Sequence, residues 1–335
     1  MYKVWRCALQ RCPNNKKIYV SENNMKRLTK LLTNLLAVLL LVVGCVSMVG
    51  CGEDITTTEV KIQLYDYEGQ AFYGDSESTL TIDLYGHLAP QTVEAIASYI
   101  SAGYYNNALI YSTKFDTVDQ IMVGDLYVDG DAIVVGEDGE VNIKQKPVKP
   151  ALPGEFENGG TKGSNLTNTK GSVGLWRSWY ATGSYSASSA TNTGSATWFM
   201  PTSTRTSFDG NFCVFGQINL EDEVNSATFE ALQGLFEEKT NYTEYVIYYT
   251  GEYDATKQNC GLTFHCVTEE YFEENIENLT DEEIEEMSPA DKAKFDVFEA
   301  DKEKLELVCF NKTTIKVANN AGGKVGAMIK SATIK

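Results

Sequence analysis

Across 335 residues the chain sets 28 Lys and Arg against 46 Asp and Glu, a formal net charge of −18, with 43% hydrophobic and 11% aromatic residues. Eight of the basic groups and one acidic group fall in residues 1–50, leaving 20 basic against 45 acidic groups, −25, in everything that follows. A surface this acidic repels phosphate backbones and excludes nucleic acid as a partner.

A leader is expected over the first 51 residues. The basic stretch MKRLTK precedes LLTNLLAVLLLVVGCVSMVGC (31–51), an apolar run that ends in a small residue before cysteine. This is the pattern of a lipoprotein signal peptide, and it predicts an extracytoplasmic, membrane-anchored lipoprotein of a bacterial cell surface. Gly50-Cys51 is the favoured lipidation site because the polar GEDITTTE follows at once; Gly44-Cys45 is the alternative. A run of about 20 apolar residues is also long enough to span a bilayer, so a transmembrane anchor is the competing reading. Met25 is a better start for such a leader than Met1, and residues 1–51 are set apart from the fold.

Two strands are expected next, TEVKIQLYDY and STLTIDLYG in residues 58–86, the second alternating at period two. APQTVEAIASYISAG (89–103) predicts a helix with Pro90 at its start, Ala95, Ile96, Tyr99 and Ile100 on one face, and Gly103 as its stop. Residues 108–141 return to strands, with a hairpin turn at Glu137-Asp138-Gly139. KQKPVKPALPG (144–154) is a rigid, extended connection, and the Ser/Thr/Gly-rich run 178–197 is a loop. ATFEALQGLFEE (227–238) predicts a second amphipathic helix.

Residues 267–308 contain 16 acidic and four basic side chains. Apolar residues recur there (Tyr271, Phe272, Ile276, Leu279, Ile284, Met287), which predicts helices with one buried stripe and a solvated acidic face. VGAMIKSATIK (325–335) closes the chain as a strand.

Conventional catalytic motifs are missing: there is no GxGxxG before a helix, no phosphate loop, no HExxH, no CxxC and no GxSxG. The chain has two histidines, His87 in a turn and His265 in the strand LTFHCV, and both read as structural. With so few histidines the CGLTFHC stretch reads as no zinc site, and neither metal nor cofactor is expected. Disulfides are permitted outside the cytoplasm, but spacing assigns no pairs among Cys213, Cys260, Cys266 and Cys309.

Several stretches in a fixed order resemble the cyclophilin-type peptidyl-prolyl cis-trans isomerases. TIDLYGHLAPQTV (81–93) and GYYNNALIYSTK (103–114) stand where that family has a strand, an A-P-x-T-V helix start, a G-Y-Y turn and a Phe-His-Arg strand. LPGEFENGG (152–160), GLWR (174–177), SATWFM (195–200), FDGNFCVFGQI (208–218) and MIKSATI (328–334) resemble later family segments. The resemblance implies a mainly β fold, a cyclophilin-like closed eight-stranded antiparallel barrel with two capping helices. It divides the chain into the leader, 1–51; the cyclophilin-like domain, 58–239 and 323–335; and an acidic helical and strand insertion, 240–322.

The reaction that the resemblance implies breaks no bond. Rotation about an X-Pro bond faces a barrier of roughly 18–20 kcal/mol, and an apolar slot with one donor aimed at the prolyl nitrogen stabilises the twisted state. In the family an Arg supplies that donor. Carried over residue by residue, the Phe-His-Arg positions are Ile110, Tyr111 and Ser112, the Gln of the next strand is Met122, and a later Gln is Thr197. The slot Phe is Phe199, with Phe208 and Phe212 at the Leu and His positions and Trp176 in the S-M-A-R segment. A hydroxyl at Ser112 replaces no guanidinium, being neutral and offering one donor against five. Arg177 and Arg205, the two arginines after the leader, both fall in groove-bordering segments and are the candidate substitutes. The implied partners are proline-containing peptides or unfolded proteins, with the membrane reached through the lipid. Alternatives are a catalytically inactive module that binds a peptide or partner through the Phe199, Phe208 and Phe212 slot and the Trp176, Trp179 and Tyr180 loop, and a structural envelope protein in which the acidic insertion binds cations or a neighbour.

Overall fold

The computed structural model describes residues 58–65, 78–115, 118–130, 132–158, 165–177, 191–250, 263–277, 280–286, 313–318 and 326–335. The chain divides into two units, Met1–Asp54 and Ile55–Lys335, and every described residue belongs to the second. The leader with Cys45 and Cys51, the loop 178–190 with Trp179 and Tyr180, and Cys260 and Cys309 lie outside the described residues. No described helix is long and apolar enough to cross a membrane.

Thirteen strands dominate the described residues. β1 (Thr58–Tyr65) and β2 (Thr79–Leu84) form an antiparallel pair. In β2 the apolar Leu80, Ile82 and Leu84 point inward, as the alternation predicts. α1 (Pro90–Ser101) follows, with Pro90 in its first turn and Val93, Ile96 and Ile100 buried. Gly103, at φ +71, ends it where L-residues with a Cβ are strained. Its N-cap Ala89 has no capping side chain. The Glu155 carboxylate serves instead, accepting from the backbone N–H groups of Gln91 at 3.1 Å and Thr92 at 2.8 Å. An anion at this end also meets the positive pole of the helix dipole.

β3 (Ile110–Phe115) and β4 (Val118–Val123) form the next hairpin. A separate two-stranded sheet, β5 (Leu126–Val128) with β6 (Ile143–Gln145), encloses the predicted turn, where Gly139 donates to the Gly136 carbonyl. β7 (Ser172–Leu175), β8 (Trp198–Pro201) and β9 (Val214–Ile218) complete the strands before the second helix. α2 (Glu223–Gly234) starts four residues earlier than the apolar pattern predicts, because the Asp222 side chain caps it by accepting from the Asn225 N–H.

The acidic insertion 240–322 supplies strands as well as helices. β10 (Tyr242–Thr250), β11 (Thr263–Thr268) and β12 (Thr313–Ala318) come from it, with α3 (Glu269–Phe272), a π turn (Glu273–Glu277) and α4 (Asp281–Glu286). Of the predicted apolar stripe, Phe272 and Ile276 are buried against Val246 and Tyr248, with Tyr271 packed beside them. Leu279 and Met287, and the side chain of Ile284, lie outside the described residues. β13 (Met328–Ile334) ends the chain, paired with β1.

Eleven strands form one antiparallel sheet in the order β11-β10-β12-β3-β4-β8-β7-β9-β2-β1-β13, so the closed eight-stranded barrel expected from the sequence is corrected. The eight strands from β3 through to β13 are neighbours in that order, but their ladder does not close. β12 takes the edge of β3 at Tyr111, Ser112 and Thr113. Between β3 and β13 there remains an isolated bridge, Leu109 with Met328, with flanking backbone bonds such as Ile110 N–H to Ala327 O.

Strand alternation places two apolar clusters on the two faces around β3 and β4. One joins Ile110, Ile121, Val123, Met200 and Trp198 to β2, β9 and the inner faces of α1 and α2. The other contains Leu109, Tyr111, Met122 and Phe199 together with Tyr245, Ile247, Cys266, Ile315 and Val317 from the acidic stretch. Each fully buried side chain of this size contributes about 1.5–3 kcal/mol.

A candidate peptide groove filled by its own side chains

Met122 on β4 lies opposite Tyr111 on β3 and opposite Phe199 on β8, so the three share one face. Phe199 is packed over Gly174, where an added Cβ would lie 2.5 Å from its ring. Three further aromatic rings surround it: Trp176 at 5.9 Å, Phe208 at 5.7 Å and Phe212 at 5.3 Å, all near edge-on. Phe208 and Phe212 lie 4.6 Å apart, and Trp176 stacks on Phe212 at 22°. The expected slot residues are therefore brought together, and aromatic edge-to-face pairs of this kind are each worth about 0.5–1.5 kcal/mol beyond area burial.

They are also sealed. Tyr111, Met122, Phe199 and Phe208 are 0% exposed, Phe212 1%, Thr197 3% and Trp176 5%. The larger rings of Trp176, Phe208 and Phe212 fill the space, and the apolar residues of β10, β11 and β12 belong to the same cluster.

Ser112 lies elsewhere. Its cross-strand neighbour on β4 is Ile121, part of the cluster on the opposite face, so its side chain points away from Phe199. Its Oγ is buried and has no hydrogen-bond partner among the described residues. On this strand the residue that faces the aromatic cluster is Tyr111, whose hydroxyl donates to the Asp125 carboxylate at 3.1 Å. Burial pushes the Asp125 carboxyl up to about 6, against hydrogen bonds from Tyr111, its own backbone and Thr197 that pull it down. The turn before it needs Gly124, at φ +133, because an added Cβ would lie 2.5 Å from the Ala196 carbonyl.

Both arginines border the cluster, and both are buried, Arg177 at 3% and Arg205 at 7% exposure. The Arg177 guanidinium stacks between Phe156 (4.7 Å) and Phe212 (5.2 Å), and its Nε donates to the Asn211 carbonyl at 2.7 Å. Desolvation lowers its pKa to about 10. Arg205 lies over Phe208 at 4.7 Å. Each is committed to an aromatic wall, a cation–π role.

Gln120, Gly174 and Glu155 are site or support residues that sequence reasoning did not single out, while Asp125 and Gly124 match the turn of the family's F-x-I-Q-G-G-D segment. The Glu-Phe of LPGEF was visible as a motif, but its function as a cap for α1 needs the fold. His265 pairs with Glu140 (Nδ1 to Oε1, 2.7 Å) and stacks on Tyr248, while His87 meets Tyr85 edge-on. Cys213 and Cys266 are free and buried, and burial raises the Cys213 thiol to about 12. Among the described residues no group of three or more His, Cys, Asp or Glu could hold a metal.

A family model, described as Cyclophilin type peptidyl-prolyl cis-trans isomerase/CLD, matches residues 72–247. Among curated proteins none matches significantly. One similar solved structure is a Cryptosporidium parvum cyclophilin type peptidyl-prolyl cis-trans isomerase, crystallised in the presence of the dipeptide Ala-Pro. The similarity covers 63% of this chain and 98% of that one, at 16% identity and a TM-score of 0.34.

Proposed function

Because the chain belongs to the cyclophilin-type peptidyl-prolyl cis-trans isomerase family, we propose that it is a catalytically silent member: an isomerase-like domain kept for binding, not turnover. Its ligand class is proline-containing peptides or unfolded segments, met outside the cytoplasm by a protein anchored through lipid on Cys51.

One observation carries the silence. The side chains that would form the proline slot are 0–5% exposed and packed on one another, so a substrate ring has nowhere to sit in the described state. The donor is missing as well. Ser112 faces the other cluster, and Arg177 and Arg205 are stacked on the walls of the site. A single aimed donor is worth roughly 10²–10³ in rate, so a site lacking both slot and donor leaves the X-Pro bond near its uncatalysed time of tens to hundreds of seconds.

A protease-coupled isomerisation assay on the purified full chain tests this. The expected rate matches the uncatalysed one at micromolar protein; a clear acceleration proportional to protein concentration overturns the silent reading. Mass spectrometry of the mature N-terminus tests the anchor, which requires a lipid-modified Cys51 with residues 25–50 removed. An unmodified chain retaining them removes the lipoprotein assignment, and a lipid on Cys45 moves the site.

A further inference from the structure

Gln120 is completely buried on the face that carries Met122 and Phe199, and neither its Oε1 nor its Nε2 meets a partner among the described residues. It stands in a row across five strands, Pro201, Gln120, Thr113, Ile315 and Tyr245, directly beside the row of Phe199, Met122, Tyr111 and Val317. A side-chain amide offers one acceptor and a pair of donors, the complement of a peptide unit. Leaving both ends idle in a dry interface is a cost to the closed state alone.

β12 is held more lightly by β3 than by β10, through three residue pairs against six, with a side-chain bond across the seam, Thr113 Oγ1 to the Thr314 carbonyl at 3.2 Å; just beyond Tyr111 the same edge passes to the chain around Ala327 and Met328. The ion pair across this seam, Lys316 to Asp119 at 3.0 Å, is partly open to solvent, with side chains 14% and 32% exposed. Water and salt screen such a pair.

We propose that β12 is a releasable closure over a site for extended proline-containing peptides, floored by Met122 and Phe199, in which Gln120 pairs with the peptide backbone. This rests on the sealed-domain reading above and adds how the site is opened and which residue reads the ligand. The resting protein is closed because the apolar residues of β10 and β12 outweigh the idle amide. Weakening the seam shifts the population toward a state in which the amide is used.

The test follows tryptophan fluorescence of the full chain, in detergent, during titration with acetyl-Ala-Ala-Pro-Ala-amide. Lys316→Met removes the ion pair at the seam, and peptide affinity rises about two- to fivefold over wild type, the effect of one lost screened pairing. Adding Gln120→Leu to that variant lowers affinity about tenfold while raising the thermal midpoint, because an idle buried amide is removed. A Thr113→Cys, Ile315→Cys pair, once oxidised, abolishes binding, and reduction restores it. Should that crosslink fail to form, the first two variants still decide. Peptide affinity unchanged by Lys316→Met in a folded protein, or undiminished by Gln120→Leu, overturns the proposal. Turnover by the wild type is a separate result, and it overturns the silent reading instead.

Discussion

The Tyr111 hydroxyl donates to the Asp125 carboxylate at 3.1 Å, and both groups are shut away from water beside the aromatic cluster. The bond joins the middle of β3 to the turn after β4, so it fixes the one β3 side chain that faces the slot row of Met122 and Phe199. It also leaves a carboxylate whose charge is held by neutral donors.

That arrangement has a pH signature. Asp125 has a folded-state pKa of about 6, above the ordinary 3.8, so the folded protein binds this proton more tightly than the unfolded chain does. Its contribution to stability is therefore largest below about pH 4 and is lost as pH rises through about 6, a swing on the order of 2–3 kcal/mol. Urea denaturation at pH 4.5 and 7.5, taken as the difference between wild type and Asp125→Asn, should show wild type losing ground at the higher pH. Tyr111→Phe removes a bond that lowers the pKa and should move the transition upward.

Ser112 offers a second prediction. Because its side chain points into the cluster with Ile121 and Met200, Ser112→Arg buries an unpaired guanidinium there, at a cost of roughly 3–5 kcal/mol, and restores no isomerase activity. Ser112→Ala removes a buried hydroxyl without a partner and should stabilise by about 1 kcal/mol. Thermal midpoints of the two variants check both directions.

Glu155→Gln keeps the shape of the α1 cap but removes its charge, and Glu155→Ala removes the cap altogether. The expected losses are about 0.5–1 kcal/mol and about 1–2 kcal/mol respectively. Amide hydrogen exchange at Gln91 and Thr92 should accelerate first, before any change elsewhere.

Gly174→Ala places a methyl against the Phe199 ring, with contacts of 2.5–2.7 Å that the surrounding rings leave no room to relieve. Overpacking of this kind costs about 1–3 kcal/mol, and near-ultraviolet circular dichroism from Trp176 should change with it. The paired change Gly174→Ala, Phe199→Leu should recover part of the loss.

Much of this molecule is legible from local pattern. The alternation in β2, the proline start and glycine stop of α1, and the turn at Gly139 all follow from short-range chemistry, and the aromatic residues assigned to one slot do meet. What the sequence hides is register and competition at long range. Ser112 and Met122 both read as slot positions, yet pairing Met122 with Tyr111 turns Ser112 to the far face. A one-residue shift in a strand reverses every side chain, and no motif reports it. The open sheet is hidden for a similar reason: the strand that occupies β3 beyond Tyr111 comes from about 200 positions downstream, out of the acidic insertion 240–322. Glu155 as a helix cap and Gln120 as an idle amide depend on contacts of the same distant kind.

The divided edge of β3 also limits how the chain can be cut. Excising the acidic insertion 240–322 as a dispensable insert would remove β12 and leave without partners those backbone groups of β3 along Tyr111–Thr113 that point toward it. An unprotected strand edge beside exposed aromatic side chains is a template for aggregation between molecules. A shortened version should therefore be recovered as insoluble or oligomeric material unless β13 is extended to take the vacated edge.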